Sequence, residues 1–164
     1  MSSQPTTPPA RNRSRTEARR AARMAAVQAL YQMDIAGTDV GDVIDEFVIE
    51  RFPGMDEEGE PHPETDVAHF TDLLKGVVRE QLEIDPRIDA ALARGWTLSR
   101  LDSILRAILR AGVYEMQRCR DVPAKVVINE YVDIAHAFFT GEEPAVVNAV
   151  IDRVGRDIRV GELK

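Results

Sequence analysis

Apolar positions recur at helical spacing along most of the chain. Val27, Leu30 and Tyr31 lie in an alanine-rich stretch. They predict a buried helix over residues 16–36, capped by Thr16 and stopped by Gly37. Val40, Val43, Ile44, Phe47 and Val48 predict a second helix over 40–51. Val67, Phe70, Leu73, Leu74, Val77 and Val78 form the stripe of a third, over 66–82. A fourth, over 85–94, has Pro86 in its first turn and Gly95 after its end. The best pattern spans 98–118, where Leu101, Ile104, Leu105, Ile108, Leu109, Gly112, Val113 and Met116 make one continuous face. Arg100, Arg106 and Arg110 lie opposite. Asp121 and Pro123 predict the start of a sixth helix reaching to about Phe139. Pro144 opens a seventh with Val146, Val147, Val150, Ile151 and Val154 inward. No strand alternation, internal repeat or glycine-rich phosphate loop is found. The expected fold is all-α, a single bundle of about seven helices.

The connecting segments complete the organisation. Residues 1–12 are rich in Ser, Thr, Pro and Gln and cannot bury enough apolar surface to offset ordering entropy. Residues 52–65 combine three prolines, two glycines and five acids, as a flexible acidic loop does. The expected division is a disordered basic arm over 1–14, a helical domain over 15–158 and a flexible tail over 159–164. No apolar run reaches the roughly 20 residues of a membrane span, and the arginine-rich start lacks the apolar stretch of a signal peptide. The lone cysteine, Cys119, excludes an internal disulfide and suits a reducing compartment. A cytoplasmic protein is expected.

Charge changes the picture. The net charge of −7 hides six arginines within residues 1–23, set against one acid, Glu17. That segment carries +5 and the remainder −12. Screening confines each field to about 10 Å, so a basic arm can grip phosphates although the body is acidic. Arg11, Arg13 and Arg15 precede Arg19, Arg20 and Arg23, which stand at helical spacings on one face. Guanidinium groups stay charged and bind phosphate oxygens with two donors at once. RNA or DNA contact is therefore the leading functional reading of this cluster, against a solvated tail.

Other chemistry is weakly supported. His62, His69 and His136 lack metal-ligand spacing and Cys119 has no partner base, so no metal, cofactor or catalytic residue is expected. Glu130 with Asp133, and Asn148 with Asp152, share helical faces and read as helix–helix contacts or solvated surface. Phe138, Phe139, Tyr31 and Tyr131 read as core or as a partner surface, and acids near 138–146 suit a basic partner protein.

Three motifs in order resemble the NusB family of bacterial transcription antitermination factors. They are Arg-Arg-Ala-Ala-Arg-Met-Ala-Ala-Val-Gln-Ala-Leu-Tyr at 19–31, Asp-Val-Pro-Ala-Lys-Val-Val-Ile-Asn-Glu at 121–130 and Val-Val-Asn-Ala-Val-Ile-Asp at 146–152. The segments 94–98 and 107–115 also fit, and the likeness covers about residues 15–155. It implies a seven-helix bundle without catalytic activity. It further implies joint binding of boxA RNA with the ribosomal protein NusE, and loading onto RNA polymerase with other Nus factors during ribosomal RNA synthesis. Carried over by position, RNA contacts fall on Arg19, Arg20, Arg23 and Lys125, and the charge of the arm adds Arg13 and Arg15 as candidates. Partner contacts fall on Tyr31, Ile35, Phe138, Glu142 and Val146. Ser103, Leu105, Val146 and Ala149 depart from the family pattern.

Two alternatives remain at the level of sequence. NusB-like domains also precede the catalytic domain of ribosomal RNA cytosine methyltransferases, so a severed domain of such an enzyme is one. A helical adaptor that binds only proteins is the other.

Overall fold

The computed structural model describes residues 10–52 and 65–163, with side chains from Arg15 onward. Among the described residues there are six α-helices and no strand: α1 (Ala10–Ala36), α2 (Val40–Glu46), α3 (Val67–Ala91), α4 (Ser103–Arg118), α5 (Ala124–Phe138) and α6 (Glu143–Ile158). A π-helical turn (Phe47–Arg51) extends α2 and a 3-10 turn (Leu98–Arg100) precedes α4. The all-helical expectation holds, with six helices in place of about seven. Most of the acidic 52–65 segment lies outside the described residues.

Bundle organisation follows from α4. Leu105 and, Arg110 apart, every residue from Ala107 to Met116 is buried. A helix covered on nearly all sides belongs at the centre, and α4 packs against α1, α3, α5 and α6. Side-chain size sets how closely its neighbours approach. Ala22, Ala26 and Ala29 of α1 are fully buried and let that helix lie deep. Gly76 of α3 lies against the Tyr114 ring of α4, where a Cβ would overlap it.

The helices predicted over 66–82 and 85–94 are one continuous helix, with Pro86 inside it. Proline cannot donate to the carbonyl one turn earlier, here that of Leu82. Leu82 is 94% exposed and Pro86 is exposed too, so the interruption lies on the solvent face, where solvation offsets the cost of a missing bond. On the opposite face Ile84 and Ile88 are fully buried and continue the stripe of Leu73, Leu74 and Val77. Burial on one side outweighs the interruption on the other.

Three helix starts also differ from the sequence reading. α1 begins at Ala10, which puts Thr16 in its interior. α4 begins at Ser103, because Asp102 caps it by accepting from the Ile104 N–H at 2.8 Å. Pro123, not Asp121, holds the N-cap position of α5. There the free Ala124 N–H donates to Glu162 Oε1 at 2.6 Å, which leaves Asp121 available for another contact. Gly37 ends α1 as expected, in the left-handed region at φ 67.

Candidate functional site

The arginines of α1 divide into an inner and an outer set. Arg23 is 3% exposed, against a Glu115 that is fully buried on α4. Its Nε and Nη2 donate to Glu115 Oε1 and Oε2 at 2.9 and 2.7 Å, a two-pronged pair. Tyr131 Oη of α5 donates to Glu115 Oε1 at 2.9 Å. His69 Nε2 of α3 lies 3.1 Å from the same oxygen. A carboxylate only accepts, so this contact requires the proton on Nε2. Four helices thus meet at one carboxylate. Burial pushes the Glu115 carboxyl up, but the hydrogen bonds from His69 and Arg23 and the Arg23 charge prevail and hold it at about 2. Burial and the Glu115 charge raise the Tyr131 phenol well above its ordinary value, so it remains a donor.

Arg23 is therefore a correction to the sequence reading. Its helical spacing from Arg19 and Arg20 is real, yet the shared face turns under α4 and α5 within one turn. A guanidinium so enclosed, with Glu115 on two of its nitrogens, offers nothing to a phosphate.

Arg19 and Arg20 form the outer set, with side chains 38% and 53% exposed. Arg19 lies 3.6 Å from Asp66 and 3.4 Å from Asp121. Arg20 lies 3.1 Å from Glu130 and 3.2 Å from Asp133. Glu130 also reaches Arg23 at 3.7 Å, which ties the outer set to the buried one. Arg15 and Lys125 are exposed and have no hydrogen-bonded or ion-paired partner among the described residues. Arg15 and Arg19 line a cleft with Thr16, Thr65 and Asp66. Lys125 shares a face of α5 with Asn129 and Asp133 by helical spacing. Arg13 lies on the helical backbone of α1, and its side chain falls outside the described residues.

The five positions assigned to a protein partner fall into two grooves. Tyr31, Ile35 and Phe138 line one, with Val27, Gln28 and Ile104. Ile35 is 60% exposed there, a large apolar residue left to water. Glu142 and Val146 line the other, with Leu92, Trp96 and Ala149. The short turn between α5 and α6 joins them, since Phe138 ends one helix and Glu142 stands before the next. Trp96, 38% exposed, was not assigned to this surface from sequence. Its position in a glycine-flanked connection with no apolar periodicity is the signal that marked it as available.

Cys119 is buried just after α4, with Sγ 3.7 Å from Asp72 Oδ2. Burial, together with the charges of Glu115 and Asp72, pushes its thiol up to about 12. Among the described residues no helix is long and apolar enough to cross a membrane.

Residues 20–156 match the sequence profile of the NusB family. The chain belongs to the NusB family. A transcription antitermination protein NusB of Bradyrhizobium sp. (strain BTAi1) is 52% identical over 163 residues, covering 99% of this chain and 96% of that relative. Its counterpart in Nitrobacter hamburgensis is 54% identical over 144 residues, covering 88% and 89%. Among solved structures, NusB of T. maritima superposes with a TM-score of 0.70 at 26% identity, over 84% of this chain and 90% of that one. A crystal structure of NusB and NusE in complex with double-stranded RNA superposes at 0.70 and 23% identity, over 88% and 98%, and shows the shared fold. NusB proteins are transcription regulators and not enzymes, and the methyltransferase alternative finds no support among these relatives.

Proposed function

We propose that this protein is a cytoplasmic antitermination factor that binds boxA-type RNA jointly with the ribosomal protein NusE. With other Nus factors on RNA polymerase, the pair promotes processive transcription of ribosomal RNA operons. The observation that carries this reading is identity of 52% to an antitermination NusB over nearly the whole of both chains. The working unit is the helical body, which starts at Ala10 rather than at residue 15 and so takes in the last part of the basic arm, and it runs to the turn at 159–163.

In this reading Arg15, Arg19 and Arg20 supply phosphate contacts from one end of α1, with Arg13 before them and Lys125 beside them. Exposed ion pairs such as those of Arg19 and Arg20 contribute only about 0.2–1 kcal/mol each, so a phosphate can replace a carboxylate at little cost. Arg23 supports that surface from beneath and does not touch RNA. Bases are read from unstacked single strand by other side chains, since phosphates carry no sequence information. Tyr31, Ile35 and Phe138 offer an apolar groove to NusE, while Glu142 and Val146 offer the adjoining one, where the carboxylate suits a basic ribosomal protein.

The test is titration of boxA RNA and a scrambled control, with and without NusE. The variant Arg15→Ala/Arg19→Ala/Arg20→Ala is expected to bind boxA at least about tenfold more weakly, the equivalent of one lost charge-assisted hydrogen bond. Each lost phosphate contact is also expected to lower the salt slope by about 0.7. Unaltered affinity with unaltered helicity would remove these arginines from the mechanism. Equal affinity for both RNAs, with NusE present, would leave only generic polyanion binding and favour the protein-adaptor reading.

A further inference from the structure

Each outer arginine of α1 sits between two carboxylates of unequal depth. Arg20 has Glu130, whose side chain is 14% exposed, on its inner side and Asp133, 60% exposed, on its outer side. Arg19 has Asp66 at 30% and Asp121 at 70% in the same arrangement. One positive charge faces two negative ones at both positions. Counting Arg23 and Glu115 as well, three arginines meet five carboxylates. A surface intended only to attract phosphate would not be neutralised twice over.

We propose that Asp121 and Asp133 act as built-in competitors of phosphate, holding Arg19 and Arg20 in place in the free protein and weakening RNA binding until displaced. The inference rests on the RNA reading of α1 given above. The two carboxylates of each pair have different tasks. Glu130 also contacts Arg23, so it joins the fixed network and aims the Arg20 guanidinium. Asp133 has no such tie: Arg20 Nη2 donates to it at 3.2 Å on the open side, where a phosphate oxygen would approach. Asp121 stands on the turn between α4 and α5 rather than capping α5, and it accepts from Arg19 Nη1 and Nη2 at 3.4 and 3.5 Å, distances of a loose pair. Displacement leaves each aspartate exposed to water, which solvates it without a desolvation penalty. Arg15, unpaired among the described residues, is then the first contact, and Arg20 and Arg19 exchange carboxylate for phosphate afterwards.

The experiment is a double-mutant cycle read by boxA RNA affinity at fixed salt. Asp133→Asn keeps the side-chain shape and removes the charge. In the wild-type background it is expected to tighten RNA binding about two- to fivefold, the range of an exposed ion pair. In an Arg20→Ala background it should do much less, because no arginine remains to be released. Asp121→Asn is paired with Arg19→Ala in the same way. Asp152→Asn on α6, whose partner is Arg156, alters net charge equally and should leave affinity nearly unchanged. Unchanged or weaker binding by both aspartate variants overturns the inference. So does an equal gain in the Arg→Ala backgrounds or with Asp152→Asn, which would mark a general charge effect. A wild-type protein that ignores boxA, or an Arg20→Ala/Arg19→Ala variant that binds normally, brings down the RNA reading itself and this inference with it.

Discussion

Glu115→Ala is expected to lower the stability of the protein by about 3–5 kcal/mol, the cost of leaving one member of a buried ion pair alone. Arg23 would keep its charge with only Glu130, 3.7 Å away, to answer it. Tyr131 and His69 would lose their acceptor as well. Urea denaturation followed by helical circular dichroism measures the change. Arg23→Met/Glu115→Leu should recover part of the loss, because an apolar pair of similar volume removes the uncompensated charge. Recovery cannot be full, since the Tyr131 hydroxyl would still lack an acceptor. Acid should produce a related effect. The Glu115 carboxyl is held at about 2 in the folded protein against an ordinary 4.5. A carboxyl with a depressed folded value stabilises above its unfolded value, and that contribution is lost as pH falls towards the folded value. About 3 kcal/mol should therefore disappear between about pH 5 and 2, and a Glu115→Gln variant should show a flatter profile there. Equal acid sensitivity of the two proteins would contradict this.

Arg159→Ala should be nearly as damaging, with a fall of about 3 kcal/mol or more. The Arg159 side chain is fully buried. Its guanidinium donates to the carbonyls of Met116 at 2.9 Å, Val122 at 2.5 Å, Cys119 at 3.0 Å and Glu115 at 3.4 Å. Helix ends leave their last carbonyls without partners, and one side chain from beyond α6 answers those of α4 and the turn after it. Glu162 accepts from Arg159 at 3.2 Å and from the first N–H of α5 at 2.6 Å, so the same short segment serves both helices. For a chain of this size the loss corresponds to a Tm lower by about 10 °C. Arg159→Lys should not rescue it, because one ammonium cannot reach four diverging carbonyls. A Tm for the lysine variant close to wild type would show that charge alone suffices. Because that turn carries Asp121, boxA affinity should shift in the same variants.

The two residues explain what the sequence could reveal. Helical periodicity exposes the stripes, because burial on one face needs apolar side chains every third or fourth position, and the stripes of α4 and α6 are legible for that reason. Periodicity carries no information on depth. Arg23 shares the spacing of Arg19 and Arg20, and only the packing of α1 under α4 and α5 separates it from them. Glu115 stands between Tyr114 and Met116 on the helix with the most continuous apolar face, and a charged residue there was the available sign that some cation must be buried opposite. Arg159 follows Ile158 in a stretch that reads as a polar end, and its acceptors lie about forty positions back in sequence. Local rules also failed where two competed. Pro86 signals a helix start, yet the burial of Ile84 and Ile88 carries the helix through it. Asp121 is a good cap by type, but Glu162 and Arg19 answer the groups concerned. The motif order at 19–31, 121–130 and 146–152 made the family legible, since it depends on residue identity and not on depth.

The sole thiol of the chain has a practical consequence. Cys119 is enclosed where α4 ends, and its proton is held too tightly for a thiolate to form near neutral pH. Alkylating reagents that require the anion meet it only in molecules whose α4–α5 junction has swung apart. Labelling speed is thus an intrinsic clock for that opening, with no engineered reporter needed, and a bound transcript that grips the junction would slow it.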